Sequence, residues 1–156
     1  MTRTGTPGAP VIDVHTHYVP FGWPDIASQT GAVAEWPWLR VESEHDAMIM
    51  LGSREFRRIG SQCWDAERRL ADMDTHGIDI QVVSPTPVFF NYARPAGEAM
   101  KVSRIFNDLA LEICSPAPDR LLPFAQVPLQ DTDAACAELD RCRAAGHAGV
   151  EIGNHV

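Results

Sequence analysis

Apolar residues in this chain gather into short runs, separated by longer stretches with a helical period. The first run, Val11-Ile12-Asp13-Val14-His15-Thr16-His17, is rich in β-branched residues and follows a Pro/Gly-rich leader, which predicts a short buried strand. A helix is predicted over 65–76, with Asp65 as its N-cap, Leu70 and Met73 on its apolar face and Gly77 as its stop. Residues 77–84 read as a second strand ended by Pro85 and Pro87. Val102, Phe106, Leu109 and Ile113 fall at i, i+4, i+7 and i+11 and predict a helix over 97–114, which Pro116 and Pro118 keep from continuing. Residues 121–127 form a third strand, closed by Pro128. Asp131-Thr132-Asp133 opens a third helix, with Leu139 and Cys142 on its buried stripe and Gly146 at its end. Residues 148–153 then read as a fourth strand.

Between the first strand and the first helix lie some forty-five residues, 18–62. Loops beyond ~15 residues without their own structure are uncommon. Here 36–41, 47–51 and 55–59 are β-like, predicting a small antiparallel excursion over the end of the first strand, an insertion at about 36–59. Strands alternating with helices argue for right-handed βαβ units and an α/β fold with a parallel sheet. An open doubly wound sheet and part of a (β/α)₈ barrel both satisfy this order. No Gly-rich phosphate loop follows the first strand, which weakens a nucleotide-binding Rossmann reading.

Composition narrows the partners. The 156 residues are 45% hydrophobic and 22% charged, ordinary for one globular domain. A net charge of -8 with no basic cluster argues against nucleic acid. No apolar run approaches ~18 residues, so no membrane-spanning helix is expected. Residues 1–10 read as a flexible leader without the apolar core of a signal peptide. Cys63, Cys114, Cys136 and Cys142 show no CxxC spacing and suit a reducing compartment, the cytoplasm. Lys101 is the sole lysine against twelve arginines, leaving almost no candidate for a Schiff-base or carboxylated lysine.

The candidate chemistry sits on the first strand. Side chains alternate faces along a strand, so Val11, Asp13, His15 and His17 share one side. Two imidazoles two residues apart at a strand's end can aim at one point, as a divalent metal needs. A lone histidine there would read as an ordinary polar strand end.

With His15-Thr16-His17 in place, Ile12-Asp13-Val14-His15-Thr16-His17 resembles the opening of the metal-dependent amidohydrolase superfamily. Further motifs narrow the resemblance: Phe56-Arg57, Cys63-Trp64-Asp65, Arg68 to Met73, Gln81-Val82-Val83-Ser84-Pro85-Thr86-Pro87-Val88, Asn107-Asp108-Leu109-Ala110-Leu111-Glu112, Ala125-Gln126-Val127-Pro128-Leu129-Gln130-Asp131, and Ala145-Gly146-His147 with Ile152-Gly153-Asn154-His155. Together they resemble the 2-amino-3-carboxymuconate-6-semialdehyde decarboxylases, from about Pro10 to the last residue.

That resemblance implies the N-terminal half of a (β/α)₈ TIM barrel, strands one to four over residues 11–156, in a fold that needs ~250 residues when whole. It implies a zinc-dependent carboxy-lyase in tryptophan–kynurenine or nitroaromatic catabolism, with His15 and His17 as two Zn²⁺ ligands and Arg57 gripping a carboxylate of the small dicarboxylate substrate. In the family the other ligands, a histidine from strand five and an aspartate from strand eight, and a histidine that assists the water come from beyond these residues. A second arginine comes from the neighbouring subunit of a homodimer. No catalytic residue is therefore expected within this stretch, and the truncated chain is expected to be inactive alone. The rival readings are a related hydrolase or aromatic-acid decarboxylase on the same scaffold, and a non-catalytic half-barrel that only self-associates through its exposed edges.

Other residues are weighed against that frame. Asp13 suits either orienting an imidazole or a structural place near the barrel floor. Glu151 ends the fourth strand, where some binuclear amidohydrolases place a bridging carboxylate, although a one-metal site does not need it. His155 is read as an exposed loop residue, and His45, His76 and His147 as turn or helix-end residues. Trp23, Trp36, Trp38 and Phe90 are read as loop packing, and Asn107 and Asp108 as bridging elements.

Overall fold

The structure, a computed structural model, describes residues 8–21, 25, 26, 28 and 36–154. Most of the expected leader, together with Trp23 and His155, lies outside the described residues. Strand β1 (Ile12–Tyr18) is followed by β2 (Trp38–Val41), β3 (Asp46–Leu51) and β4 (Arg54–Gly60). Then come α1 (Ala66–His76), β5 (Ile80–Pro85), α2 (Ala96–Cys114), β6 (Leu121–Ala125), α3 (Thr132–Ala145) and β7 (Gly149–Val150).

The sheet order decides between the two architectures. Strands β1, β5, β6 and β7 pair in that order and all in parallel. A doubly wound sheet reverses direction at a switch point and puts its first strand inside. Here the order never reverses and β1 lies at one edge, which is the winding of a barrel. Strands β2, β3 and β4 form the separate antiparallel sheet, close to its expected limits. Its end is tied to the end of β1, because Val19 N–H donates to the Cys63 carbonyl at 2.9 Å.

The helices stand where the caps put them. Asp65 accepts from the N–H groups of Glu67 and Arg68, and Asp131 from that of Ala134. Gly77 (φ 68°) and Gly146 (φ 109°) close α1 and α3 in the left-handed region, which glycine enters without a Cβ penalty. Between sheet and helices the core joins Tyr18, Met73, Val83, Phe106 and Leu121, with Phe89 stacked on Phe106 at 4.1 Å. Among the described residues no helix is long and apolar enough to cross a membrane.

Several local expectations are corrected. The second strand starts at Ile80 and not at residue 77, because the N–H groups of Asp79 and Ile80 both turn to the Val11 carbonyl after the Gly77 cap. Strand β6 stops at Ala125, where the Asn107 side chain takes over both the N–H and the C=O of Gln126. The buried stripe of α3 is Ala135, Glu138 and Cys142, while Leu139 is 41% exposed. The expected buried strand β1 is an edge strand among the described residues, with Val14 71% exposed.

Candidate metal centre

His15 and His17 stand near the C-terminal end of β1, the end where barrels place their sites. Their rings meet edge to face, with centroids 4.8 Å apart, as strand alternation predicts. The same alternation fails for Asp13. Register shifts by one between Asp13 and Thr16, so Asp13 pairs with Gln81 while His17 pairs with Ser84. Gln81 and Ser84 are three apart on β5 and face opposite sides, so the irregularity turns Asp13 away from the imidazoles. Asp13 instead accepts from the His15 N–H at 3.2 Å and the Gln81 amide at 3.5 Å.

The carboxylate beside the histidines is Glu151, just beyond β7. Its N–H donates to the Ala125 carbonyl, which extends the parallel ladder and brings the side chain over the sheet's end. Glu151 Oε1 lies 3.8 Å from His15 Nδ1, and Oε2 lies 3.6 Å from His17 Nδ1. His15, His17 and Glu151 offer ligand atoms within 4.8 Å of one another and are the one such group among the described residues. Two imidazoles and a carboxylate suit a borderline divalent ion such as zinc or manganese. The metal-binding form of histidine is the neutral one. Burial pushes the His17 pKa down, Glu151 partly opposes this, and the charges of His15 and Arg57 add to the lowering. The net shift favours the neutral ring.

Behind the histidines, α1 buries a guanidinium. Arg69 donates to the His17 carbonyl at 2.8 Å, to Gln81 Oε1 at 3.0 Å and to Thr16 Oγ1 at 3.4 Å. Burial pushes its pKa down. It braces the backbone that carries both imidazoles. In front, Arg57 sits exposed on β4, beside the register shift between Ile49 and Met50. Its neighbours Arg40 and Arg58 are held by Glu42, Glu55 and Asp46. Among the described residues no hydrogen bond or ion pair holds Arg57, and its charge reaches His17.

The remaining candidates fall elsewhere. Trp36 is buried with the Arg94 guanidinium 3.9 Å above its ring, Trp38 donates to the Gly52 carbonyl, and Phe90 packs near Tyr92. His45 and His76 are exposed, whereas His147 is buried between the carbonyls of Cys142 and Asn107. Sequence reasoning missed Arg69 and Ser84. Ser84 carried a readable signal, a polar residue closing an apolar strand at the height of His17. Arg69 carried a weaker one, its place one turn before Met73 beside the face that Leu70 and Met73 mark.

The amidohydrolase family model matches residues 12–156. The 2-amino-3-carboxymuconate-6-semialdehyde decarboxylase of Dictyostelium discoideum is 33% identical over 146 residues, which are 93% of this chain and 40% of that protein. A 2,6-dihydroxybenzoate decarboxylase from Rhizobium is 26% identical, with a TM-score of 0.57 over 90% of this chain and 37% of its own. A dihydroxybenzoic acid decarboxylase from a Polaromonas species, solved with bound manganese and 2-nitroresorcinol, is 22% identical with a TM-score of 0.61 over 90% and 37%, a likeness of fold alone. The chain therefore spans about two fifths of the length of these relatives. With a match that runs from the first residue of β1 to the last of the sequence, the chain belongs to the amidohydrolase family.

Proposed function

We propose that this chain supplies the first half of a zinc-dependent decarboxylase centre acting on 2-amino-3-carboxymuconate 6-semialdehyde. The observation that carries the reading is the convergence of His15 and His17 on one point beside the Glu151 carboxylate; the exposed Arg57, whose charge lowers the His17 pKa, supports it. His15 and His17 hold the metal, which when bound polarises a water or a substrate oxygen. Arg57 grips a substrate carboxylate through its planar fork and keeps that charge in place while CO₂ departs. Arg69 keeps the β1 backbone from yielding as the histidines are loaded. The rest of the site, including its proton-transfer group, comes from outside these residues, and the working enzyme is a cytoplasmic homodimer. Its place is tryptophan–kynurenine or nitroaromatic breakdown.

The likeness to 2,6-dihydroxybenzoate decarboxylases favours a second reading, loss of CO₂ from an aromatic acid at the same centre. The test has two parts. Metal content per chain is measured for the wild type and for a His15→Ala/His17→Ala variant; near-stoichiometric zinc or manganese lost in the variant is expected. Decarboxylation of the two substrates is then compared in the whole protein with and without Arg57→Lys. Lysine keeps the charge but loses the fork, a cost of about 2 kcal/mol or roughly 30-fold in KM for the dicarboxylate. Preference for 2,6-dihydroxybenzoate with no effect of Arg57→Lys would replace the first reading by the second.

A further inference from the structure

We infer that Ser84 is a positioning residue that locks His17 into its Nδ1–H tautomer and so leaves Nε2 bare for the metal. The Ser84 hydroxyl has three polar neighbours: His17 Nδ1 at 3.0 Å, the Thr16 carbonyl at 3.1 Å, and Oε2 of Glu151 in a short contact. A serine hydroxyl carries one proton and two lone pairs. The Thr16 carbonyl and the Glu151 carboxylate accept only, and they already compete for that proton. A bare His17 Nδ1 would be a third acceptor turned on the same atom. A protonated Nδ1 resolves the arrangement, with His17 donating to Oγ and Oγ donating onward to the carboxylate.

This sets the division of labour in the cluster. Glu151 lies on the Nδ1 side of both rings, at 3.6 and 3.8 Å, so Nδ1 is the nearer atom for a metal seated against the carboxylate. Ser84 occupies that side of His17. That leaves Nε2 as the His17 nitrogen open to a metal, and Glu151 anchors a carboxylate–serine–histidine relay in place of serving as a third ligand. Relays of this kind fix ring orientation and raise the basicity of the ligating nitrogen. The register delivers Ser84 to the place, because His17 and Ser84 are direct partners in the β1–β5 ladder. Helix α1 holds the opposite side of the strand through Arg69 and the His17 carbonyl.

The consequence for metal affinity rests on the metal-centre reading above, whereas the tautomer does not. The test therefore begins with the metal-free chain. Long-range ¹H–¹⁵N correlation at mildly alkaline pH, assigned with a His17→Gln variant, reads which ring nitrogen carries the proton. Nδ1–H is expected in the wild type and in Ser84→Thr, with a shift toward Nε2–H in Ser84→Ala. The His17 ring also faces a second acceptor, the Pro85 carbonyl, and a wild-type ring that keeps its proton on Nε2 for that carbonyl would overturn the inference. So would a Ser84→Ala spectrum identical to the wild type. Should Ser84→Ala fail to fold, the wild-type spectrum still decides. Titration with Zn²⁺ against a chromophoric chelator then reads the consequence, with Ser84→Ala expected to bind roughly 10–100-fold more weakly. Equal affinity in Ser84→Ala would remove the positioning role. A wild type that binds no metal, with Nδ1–H intact, would instead remove the metal-centre reading and leave the tautomer standing.

Discussion

Glu138 is fully buried on α3, yet it accepts from Arg141 Nη2 and Nε, from Asn107 Nδ2 and from Arg104 Nε at 2.7 to 3.2 Å. Burial alone would push its carboxyl up, but the hydrogen bonds from Arg141 and Asn107 outweigh it and hold the pKa below the ordinary carboxylate range. A carboxyl whose pKa is depressed on folding contributes stability that is complete above the unfolded value and is lost as pH falls through the folded one. The urea midpoint of the wild type is therefore expected to fall more steeply than that of Glu138→Gln from about pH 5 downward. Near neutral pH the substitution costs about 2 kcal/mol, since Arg104 and Arg141 are partly exposed and water screens their share. Parallel midpoint-against-pH curves would show that the carboxylate is not linked to folding. Asn107 was legible as a bridging residue, and the structure shows it joining β6 to α3. Glu138 was not legible, because nothing in Glu-Leu-Asp-Arg marks which side chain α3 turns inward.

At the scale of elements, the packing of β6 on β7 uses one glycine. A Cβ added at Gly149 would stand 2.5 Å from the tip of the Phe124 ring, so the ring lies across β7 only because β7 has no side chain there. Gly149→Val must push the ring aside or move β7, and Glu151 rides on β7. Loss of metal binding is expected although no ligand is touched, together with about 1–3 kcal/mol of stability. Adding Phe124→Ala should restore part of both; no restoration would show that the two residues do not conflict. Helices α1 and α3 were legible almost to the residue because their caps are local chemistry, an aspartate before the first turn and a glycine after the last, whereas α2, between Pro95 and Ser115, was read from its apolar period. Strand ends were read less well, since they depend on a partner strand or on a side chain such as Asn107 arriving from another element.

In the whole molecule, the four-stranded sheet leaves β1 and β7 unpaired at its edges among the described residues. Val14, Ile12 and Ile152 expose 71%, 48% and 54% of their surfaces along those edges. Exposed edges with apolar side chains recruit other strands. Sedimentation of the chain is expected to show concentration-dependent association, weakened by Val14→Lys, which sets a charge on the edge. A wild type that stays monomeric at every concentration would contradict this. Metal that stabilises the fold by linkage should raise the melting temperature of the same samples. Association without any metal would favour the reading of a half-barrel that only self-associates.

By itself the sequence determined the alternation of strands and helices, the antiparallel insertion and the placing of two histidines on one face at a strand's end. These follow from side-chain periodicity and capping, which act over a few residues. Only the tertiary structure decided that the sheet winds in one direction, that Asp13 turns away while Ser84 and Glu151 close on His17, and that the Arg69 guanidinium meets the His17 carbonyl. Each of these rests on pairing between segments that are distant in the chain, from Phe124 with Gly149 to Ile12 with Ile80, or on the rotation of a helix against a sheet. A one-residue slip of a strand reverses which face a side chain occupies, and a one-residue shift of a helix turns it by about 100°.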